Sequence, residues 1–375
     1  MSVSVWSPRQ IWAARLNGGF TPPLRAWTLL ETLGPDGLAR ASESDWLRLL
    51  DKATWAEVSL WRRATLDFDV AAEERRAAAL GARLMVRGDV DYPELLESIY
   101  DPPIVLYVQG TLEALPPVAF VGSRFPTVYG RRLARRLAGG CARRGLAIVS
   151  GLARGIDGES HFAALEAKGV SWAVLGTGLD RIYPSEHREL ARRLVAEGGA
   201  VLSEMPLGTA PKPELFPRRN RIVAGLCWAA VVVEGRNRSG SLITARLATE
   251  FGRAVLAVPG SVDSPLSEAP HRLLREGATL VSTVEEIIEA LPPGLELEPA
   301  GPIPDTAKAR QNGFSPSNEE AKILALLGGD SLSLDELVQL SGLDTTRISS
   351  IMFGLEIKER VLAVPGQRYA QKEAR

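Results

Sequence analysis

Short, unbroken apolar runs recur along the middle of the chain: Val118–Val121, Leu146–Val149, Trp172–Leu175, Ala200–Leu202, Ala229–Val233 and Val255–Val258. None alternates apolar with polar, so each strand they predict must be covered on both faces. Helical stretches separate most of them. Continuous apolar strands alternating with helices predict an α/β fold built on a parallel sheet. In such a sheet the ligand crevice lies outside the carboxyl ends of the strands.

The flanks follow other patterns. Met1 to about Thr65 is tryptophan-rich and broken by Gly18-Gly19, Pro22-Pro23 and Gly34-Pro35-Asp36-Gly37, which predicts a unit of short helices over residues 1–65. Ser42 and Ser44 are candidate caps for the helix that carries Trp46. Such a bundle can grip a nucleic acid or a protein, or simply pack. Residues 66–292 are expected to form the sheet domain, entered through a helix over Asp67–Arg83 and strands at Leu84–Arg87 and Ile104–Val108. Prolines and glycines crowd residues 293–316, which predicts a linker. Over 317–375, helices at Glu319–Leu327, Leu334–Leu340 and Thr345–Glu359 precede a hairpin at Val361–Tyr369. That is a helix-turn-helix with a wing.

The strand ends carry the candidate chemistry. Gly122-Ser123-Arg124 follows the first run, and Gly151-Leu152-Ala153-Arg154-Gly155-Ile156-Asp157 the second. Gly176-Thr177-Gly178-Leu179-Asp180 with Tyr183-Pro184 follows the third. A loop from Pro206 past Lys212 leads to Phe216-Pro217-Arg218-Arg219-Asn220-Arg221, and Glu234 to Ser241 follows the fifth run. Glycine lets a backbone approach a ligand, and guanidinium forks fit phosphate oxygens. An aromatic such as Phe216 offers a face to a base. A salt-bridged surface turn is the plainer reading of the same stretch.

Charge tips the balance. The formal net charge is −1, yet Val118–Ser160 holds eight Lys/Arg against two Asp/Glu, and Pro211–Arg238 six against two. A cationic middle within a neutral chain points to a local anionic partner. The arginines at 131, 132, 135 and 136 share one helix face, for which a solvated surface is the alternative. The C-terminal unit is slightly acidic, which suits protein contact better than duplex readout.

Several classes are disfavoured. No P-loop is present, and no G-x-G-x-x-G follows a strand, so the usual signatures of ATP and dinucleotide binding are missing. His161, His187 and His271 lack metal-ligand spacing. Asp157, Asp180, Glu204 and Glu234 stand at strand ends, but no nucleophile–base–orienter set accompanies them, and Asp157 reads more simply as a helix cap. No cofactor, metal or catalysis is therefore expected. Cys141 and Cys227 lie among apolar residues and suggest a reducing compartment. The absence of a signal-peptide pattern and of a bilayer-length apolar run predicts a cytoplasmic protein without membrane insertion. A cationic groove with glycine donors and one aromatic fits single-stranded nucleic acid.

These motifs resemble the DprA (Smf) family: VAFVGSR at 118–124, GLARGIDGESH at 151–161, VLGTGLDRIYP at 174–184, FPRRNRIVAG at 216–225, VVVEGRNRSGSLITAR at 231–246 and VLAVPGS at 255–261. The resemblance runs from about Leu84 to Leu291 and extends more loosely to both flanks. It implies an extended Rossmann-like, doubly wound, mostly parallel sheet with an N-terminal helical domain like a sterile alpha motif and a C-terminal winged helix. It implies a homodimer that binds and protects single-stranded DNA and loads the RecA recombinase during natural transformation, with a single-strand-binding protein as a further partner. It places the phosphate turn at Gly122, Ser123 and Arg124, base contacts at Phe216 with Arg218, Arg219, Asn220 and Arg221, and a backbone-binding loop at Ser239, Gly240 and Ser241. Arg154 and Lys212 join the set on charge. His187, Gly235 and Ala269-Pro270-His271 depart from the family pattern. A Rossmann-like hydrolase of nucleotides, using Glu204 or Glu234 beside the same phosphate loops, is the alternative.

Overall fold

A computed structural model describes residues 5–295, 297, 317–328, 331–357, 360–364 and 368–371. Most of the expected linker, residue 296 and residues 298–316, lies outside the described residues. The chain divides into two compact units, Met1–Pro126 with Leu133–Glu298, and Pro299–Arg375 with Thr127–Arg132.

In the larger unit, nine strands form one sheet among the described residues: β1 (Ala82–Val86), β2 (Val105–Gly110), β3 (Pro117–Val121), β4 (Ala147–Ser150), β5 (Ser171–Val174), β6 (Ala200–Ser203), β7 (Ala229–Val232), β8 (Ala254–Ala257) and β9 (Thr279–Leu280). Their order is β1-β2-β6-β5-β4-β3-β7-β8-β9. The two pairs at the β1 end, β1–β2 and β2–β6, are antiparallel, and every other pair is parallel. From β3 the chain winds outward through β4, β5 and β6, then returns to start β7 on the other side of β3. The switch point of this doubly wound sheet therefore lies at the carboxyl ends of β3 and β7, where the crevice of such sheets opens.

The six apolar runs form β3 to β8: β3 to β7 are buried throughout, as their composition requires, and β8 is half-buried at Ala254 and Val255 and buried beyond them. Differences appear at boundaries. The helix expected over Asp67–Arg83 spans Val70–Ala79, because Asp69 caps it by accepting Ala72 N–H at 2.9 Å. Gly81, at φ 62°, ends the turn and lets β1 begin at Ala82. Ser42 caps Glu43–Leu49 in a reciprocal capping box with Asp45.

The N-terminal helices Pro8–Gly18, Pro23–Arg40, Glu43–Leu49 and Trp55–Asp67 share a core with the sheet. Leu16, Leu29, Leu30 and Trp46 belong to the same buried cluster as Val105, Tyr107 and Leu175. Each fully buried side chain of this size contributes roughly 1.5–3 kcal/mol of transfer free energy. The arginine row on the helix Val128–Arg143 is partly neutralised: Arg135 pairs with Glu159 at 3.0 Å and Glu166 at 2.5 Å, and Arg136 donates to the Ser282 carbonyl. Counter-charges thus offset the repulsion between neighbouring arginines there.

The smaller unit is a winged helix. Helices Asn318–Leu326, Leu334–Ser341 and Thr345–Ile357 pack Ile323, Leu337, Ile348 and Leu355 into their own core. Strands β10 (Leu332–Ser333), β11 (Val361–Val364) and β12 (Arg368–Gln371) form an antiparallel sheet in the order β10-β12-β11. Gly342, at φ 70°, makes the left-handed turn between the second and third helices.

Candidate nucleic-acid interface

The loops after β3 and β4 mesh backbone to backbone. Ile156 N–H donates to the Ser123 carbonyl at 3.1 Å, and a Cβ on Gly155, whose φ is 74°, would collide with that carbonyl. Gly122 is likewise hemmed in by the Glu234 carbonyl and Ile156. Only glycine allows the three loops to close this tightly. Ser123 Oγ accepts the Phe125 amide at 3.1 Å and holds the turn that projects Arg124 outward. Arg124 is exposed, with its guanidinium 5.8 Å from the centroid of the Phe216 ring.

Phe216 lies on a helix, Leu215–Gly225, which crosses from β6 toward β7. A loop or turn is what the residue types of this stretch predict. Pro217 is compatible with helix here because it lies in the first turn, where its missing N–H has no intrahelical partner to lose. Helical winding sends the three arginines in different directions. Arg218 stays partly exposed and pairs with Glu204 at 3.1 Å. Arg219 and Arg221 are each only 5% exposed. The expectation that all three line an open groove is thereby corrected.

Arg219 runs beneath the carboxyl edge of the sheet. It donates to the Gly151 carbonyl at 2.5 Å and to the Val174 carbonyl, so it ties together the ends of β4 and β5. Burial pulls its pKa down to about 10, with Asp157 opposing the shift, and it remains a cation at neutral pH. Asp157 is no helix cap. Gly155 occupies that position, while the Asp157 carboxylate accepts Gly151 N–H at 3.1 Å and Ala153 N–H at 3.4 Å from the loop before the helix. Burial raises the Asp157 pKa, and the nearby Arg219 counteracts it.

Arg221 bonds the second oxygen of Glu204 and forms an ion pair with Asp101 at 3.4 Å. Glu204 is thus shared between Arg218 and Arg221. Gly151 also matters to this packing, because a Cβ there would overlap the Arg219 guanidinium. Gly151→Ala is expected to lower stability by about 1–2 kcal/mol through overpacking, read from the urea unfolding midpoint.

The remaining expected residues occupy the same carboxyl edge. Ser239 caps the helix Gly240–Glu250 by accepting Ser241 N–H at 3.3 Å, and its hydroxyl lies 2.7 Å from that of Ser241. Asn220 donates to the Gly240 carbonyl at 3.4 Å, joining the two helices. Lys212 is exposed. Arg154 is exposed as well but pairs with Glu186.

Tyr183 is absent from the expected site, yet its ring stacks at 5.5 Å on Phe216 with a 44° tilt. Exposed Phe125, Arg236 and Arg238 also sit on loops at this edge. Their position close behind apolar runs is the signal that the sequence offers for them. His161 is fully buried, with Nδ1 2.7 Å from Ser171 Oγ, and burial lowers its pKa to about 3. It joins the helix Ile156–Glu166 to β5. Among the described residues no group of His, Cys, Asp and Glu could hold a metal ion, and no helix is long and apolar enough to cross a membrane.

Comparison with known proteins gives concordant matches. Residues 83–292 match the family model of DNA recombination-mediator protein A, and residues 307–367 match that of the DprA winged helix domain. Protein Smf of Escherichia coli K12 is 43% identical over 283 residues, covering 73% of this chain and 74% of the relative. The DNA processing protein DprA of Bacillus subtilis is 45% identical over 204 residues, 54% of this chain and 68% of the relative. Among solved structures, DNA processing protein A of Streptococcus pneumoniae superposes with a TM-score of 0.66 at 34% identity, covering 76% of this chain and 99% of that one. DNA processing protein A of Helicobacter pylori, solved in a study of its single-stranded DNA binding mode, gives 0.50 at 27% identity over 56% of this chain and 94% of that one.

Proposed function

Since this chain belongs to the DNA recombination-mediator protein A family, also named DprA or Smf, we propose that it binds single-stranded DNA along the carboxyl edge of the sheet as a recombination mediator without catalysis. One observation carries this reading. Phe216 stands at the edge between Arg124 and Tyr183, so a stacking surface and an exposed guanidinium occupy the same place. A base can slide onto the Phe216 face while Arg124 turns to a phosphate. The Helicobacter pylori relative supports the reading, since its structure was solved to explain single-stranded DNA binding.

The residues divide into contacts and frame. Arg124, Lys212 and Arg218 serve the phosphates, with Gly122, Ser123, Ser239, Gly240 and Ser241 offering backbone and hydroxyl donors. Arg154 joins them when released from Glu186. Arg219, Asn220 and Arg221 hold the helix that presents Phe216. Protection of incoming DNA, loading of RecA in natural transformation, a homodimeric state and contact with a single-strand-binding protein belong to the same reading and rest on the family resemblance. The division of the chain at residues 65, 292 and 316 belongs to this reading on the glycine, proline and apolar pattern of the sequence, and a cytoplasmic location on its cysteine and hydropathy pattern.

Titration of a fluorescent oligonucleotide at several salt concentrations tests the proposal. Single strands are expected to bind more tightly than duplex of the same sequence. Equal affinity for both would refute the role given to Phe216. Release of base or phosphate from nucleotides, abolished in Glu234→Gln, would replace the proposal with the hydrolase reading.

A further inference from the structure

Two side chains from the N-terminal part of the chain reach the loop that leaves β6 for the helix Leu215–Gly225. Asn17, near the end of Pro8–Gly18, donates its side-chain amide to the Glu204 carbonyl at 2.8 Å. Glu73, on Val70–Ala79, accepts the Leu207 amide at 2.7 Å. Asn17 is 8% exposed, Glu73 2%, Glu204 1% and Leu207 4%.

Burying an amide and a carboxylate is unfavourable unless each is hydrogen-bonded. Apolar residues would avoid that cost but would leave the buried Glu204 carbonyl and Leu207 amide without these partners. What the polar pair adds is register: two separate helices bond the backbone of one four-residue stretch. That stretch carries the Glu204 carboxylate, which is shared by Arg218 and Arg221. The grip continues one residue on, where Asp180 accepts the Gly208 amide at 2.7 Å.

We infer that Asn17 and Glu73 are positioning residues for the DNA groove: the helices Pro8–Gly18 and Val70–Ala79 hold Glu204–Leu207 so that Glu204 fixes the helix bearing Phe216 and Arg218. The link to DNA rests on the reading of the groove proposed above. The clamp itself is a statement about the helix and can be measured without DNA.

The test compares Asn17→Leu, Glu73→Leu and Glu73→Gln with Leu29→Ala, a cavity in the same N-terminal core. Oligonucleotide affinity and amide hydrogen exchange over residues 215–225 are measured in the full chain, below every melting transition. Asn17→Leu and Glu73→Leu are expected to speed exchange in that segment and to weaken binding about tenfold, the equivalent of one lost hydrogen bond. Glu73→Gln keeps an acceptor for Leu207 N–H and should behave as wild type. Leu29→Ala should lower the melting temperature yet change neither readout. Wild-type exchange and affinity in the two leucine variants would overturn the inference, as would equal losses in Leu29→Ala. Faster exchange in a protein whose wild type binds no oligonucleotide supports the clamp and sinks the DNA reading instead.

Discussion

Glu204→Ala is expected to destabilise the protein by about 3–5 kcal/mol, the usual penalty for stranding a buried charge. Glu204 is 1% exposed and receives both Arg218 and Arg221. Without it, Arg218 can turn to solvent. Arg221 cannot, because it is 5% exposed, and its other acidic partner, Asp101, lies 3.4 Å away. The penalty therefore falls mainly on Arg221. The urea midpoint should drop steeply, and oligonucleotide binding should fall with it, since the helix bearing Phe216 loses its anchor. Glu204→Gln keeps the shape but removes the charge, so an intermediate loss is expected.

This experiment also separates two views of the same carboxylate. A catalytic Glu204 predicts a glutamine variant that folds normally and loses turnover. A structural Glu204 predicts the opposite order: stability falls first, and binding follows only as far as the helix is disturbed. The double pairing favours the second outcome, because a carboxylate with both oxygens occupied by guanidinium groups has neither oxygen free to meet a substrate.

The same residues show what a sequence can and cannot reveal. β3 to β8 are legible because each is an unbroken run of apolar residues with a glycine within two positions of one end, a pattern that fits few structures other than a covered parallel strand. β9 is not. It is two residues long, both exposed, and exists because β8 offers it an edge. The helix Leu215–Gly225 is hidden by its own composition, since Pro217 and a cluster of polar residues imitate a turn. The direction of its arginines is beyond local reading altogether. Arg219 is buried because the carbonyls of Gly151 and Val174 await it, 68 and 45 residues earlier in the chain. Arg221 is buried because Glu204 and Asp101 surround it. A guanidinium announces its capacity for hydrogen bonds in the sequence, but its partners are chosen by the fold. Asp157 makes the same point at short range. Its spacing suggests a cap, yet Gly155 at φ 74° starts the helix and frees the carboxylate to hold the preceding loop.

Phe216→Ala is expected to weaken single-strand binding by roughly 1–3 kcal/mol, about five- to 150-fold, the value of one stacking platform. Its salt dependence should stay as in the wild type, because every phosphate-binding group is still present. Arg124→Ala should do the reverse: a smaller loss at high salt, and a slope of log K against log salt that shrinks by about 0.7 for the single phosphate no longer neutralised. The two side chains touch, with the guanidinium 5.8 Å from the ring centroid, so their effects should not add. In the free protein Arg124 covers the face that a base would occupy. Truncating Arg124 uncovers that face and recovers part of what the missing guanidinium costs. The double variant should therefore lose more affinity than the two single losses combined, because without the ring that recovery is gone. Strict additivity would mean that the base goes elsewhere, and that the contact between Arg124 and Phe216 only tidies a surface.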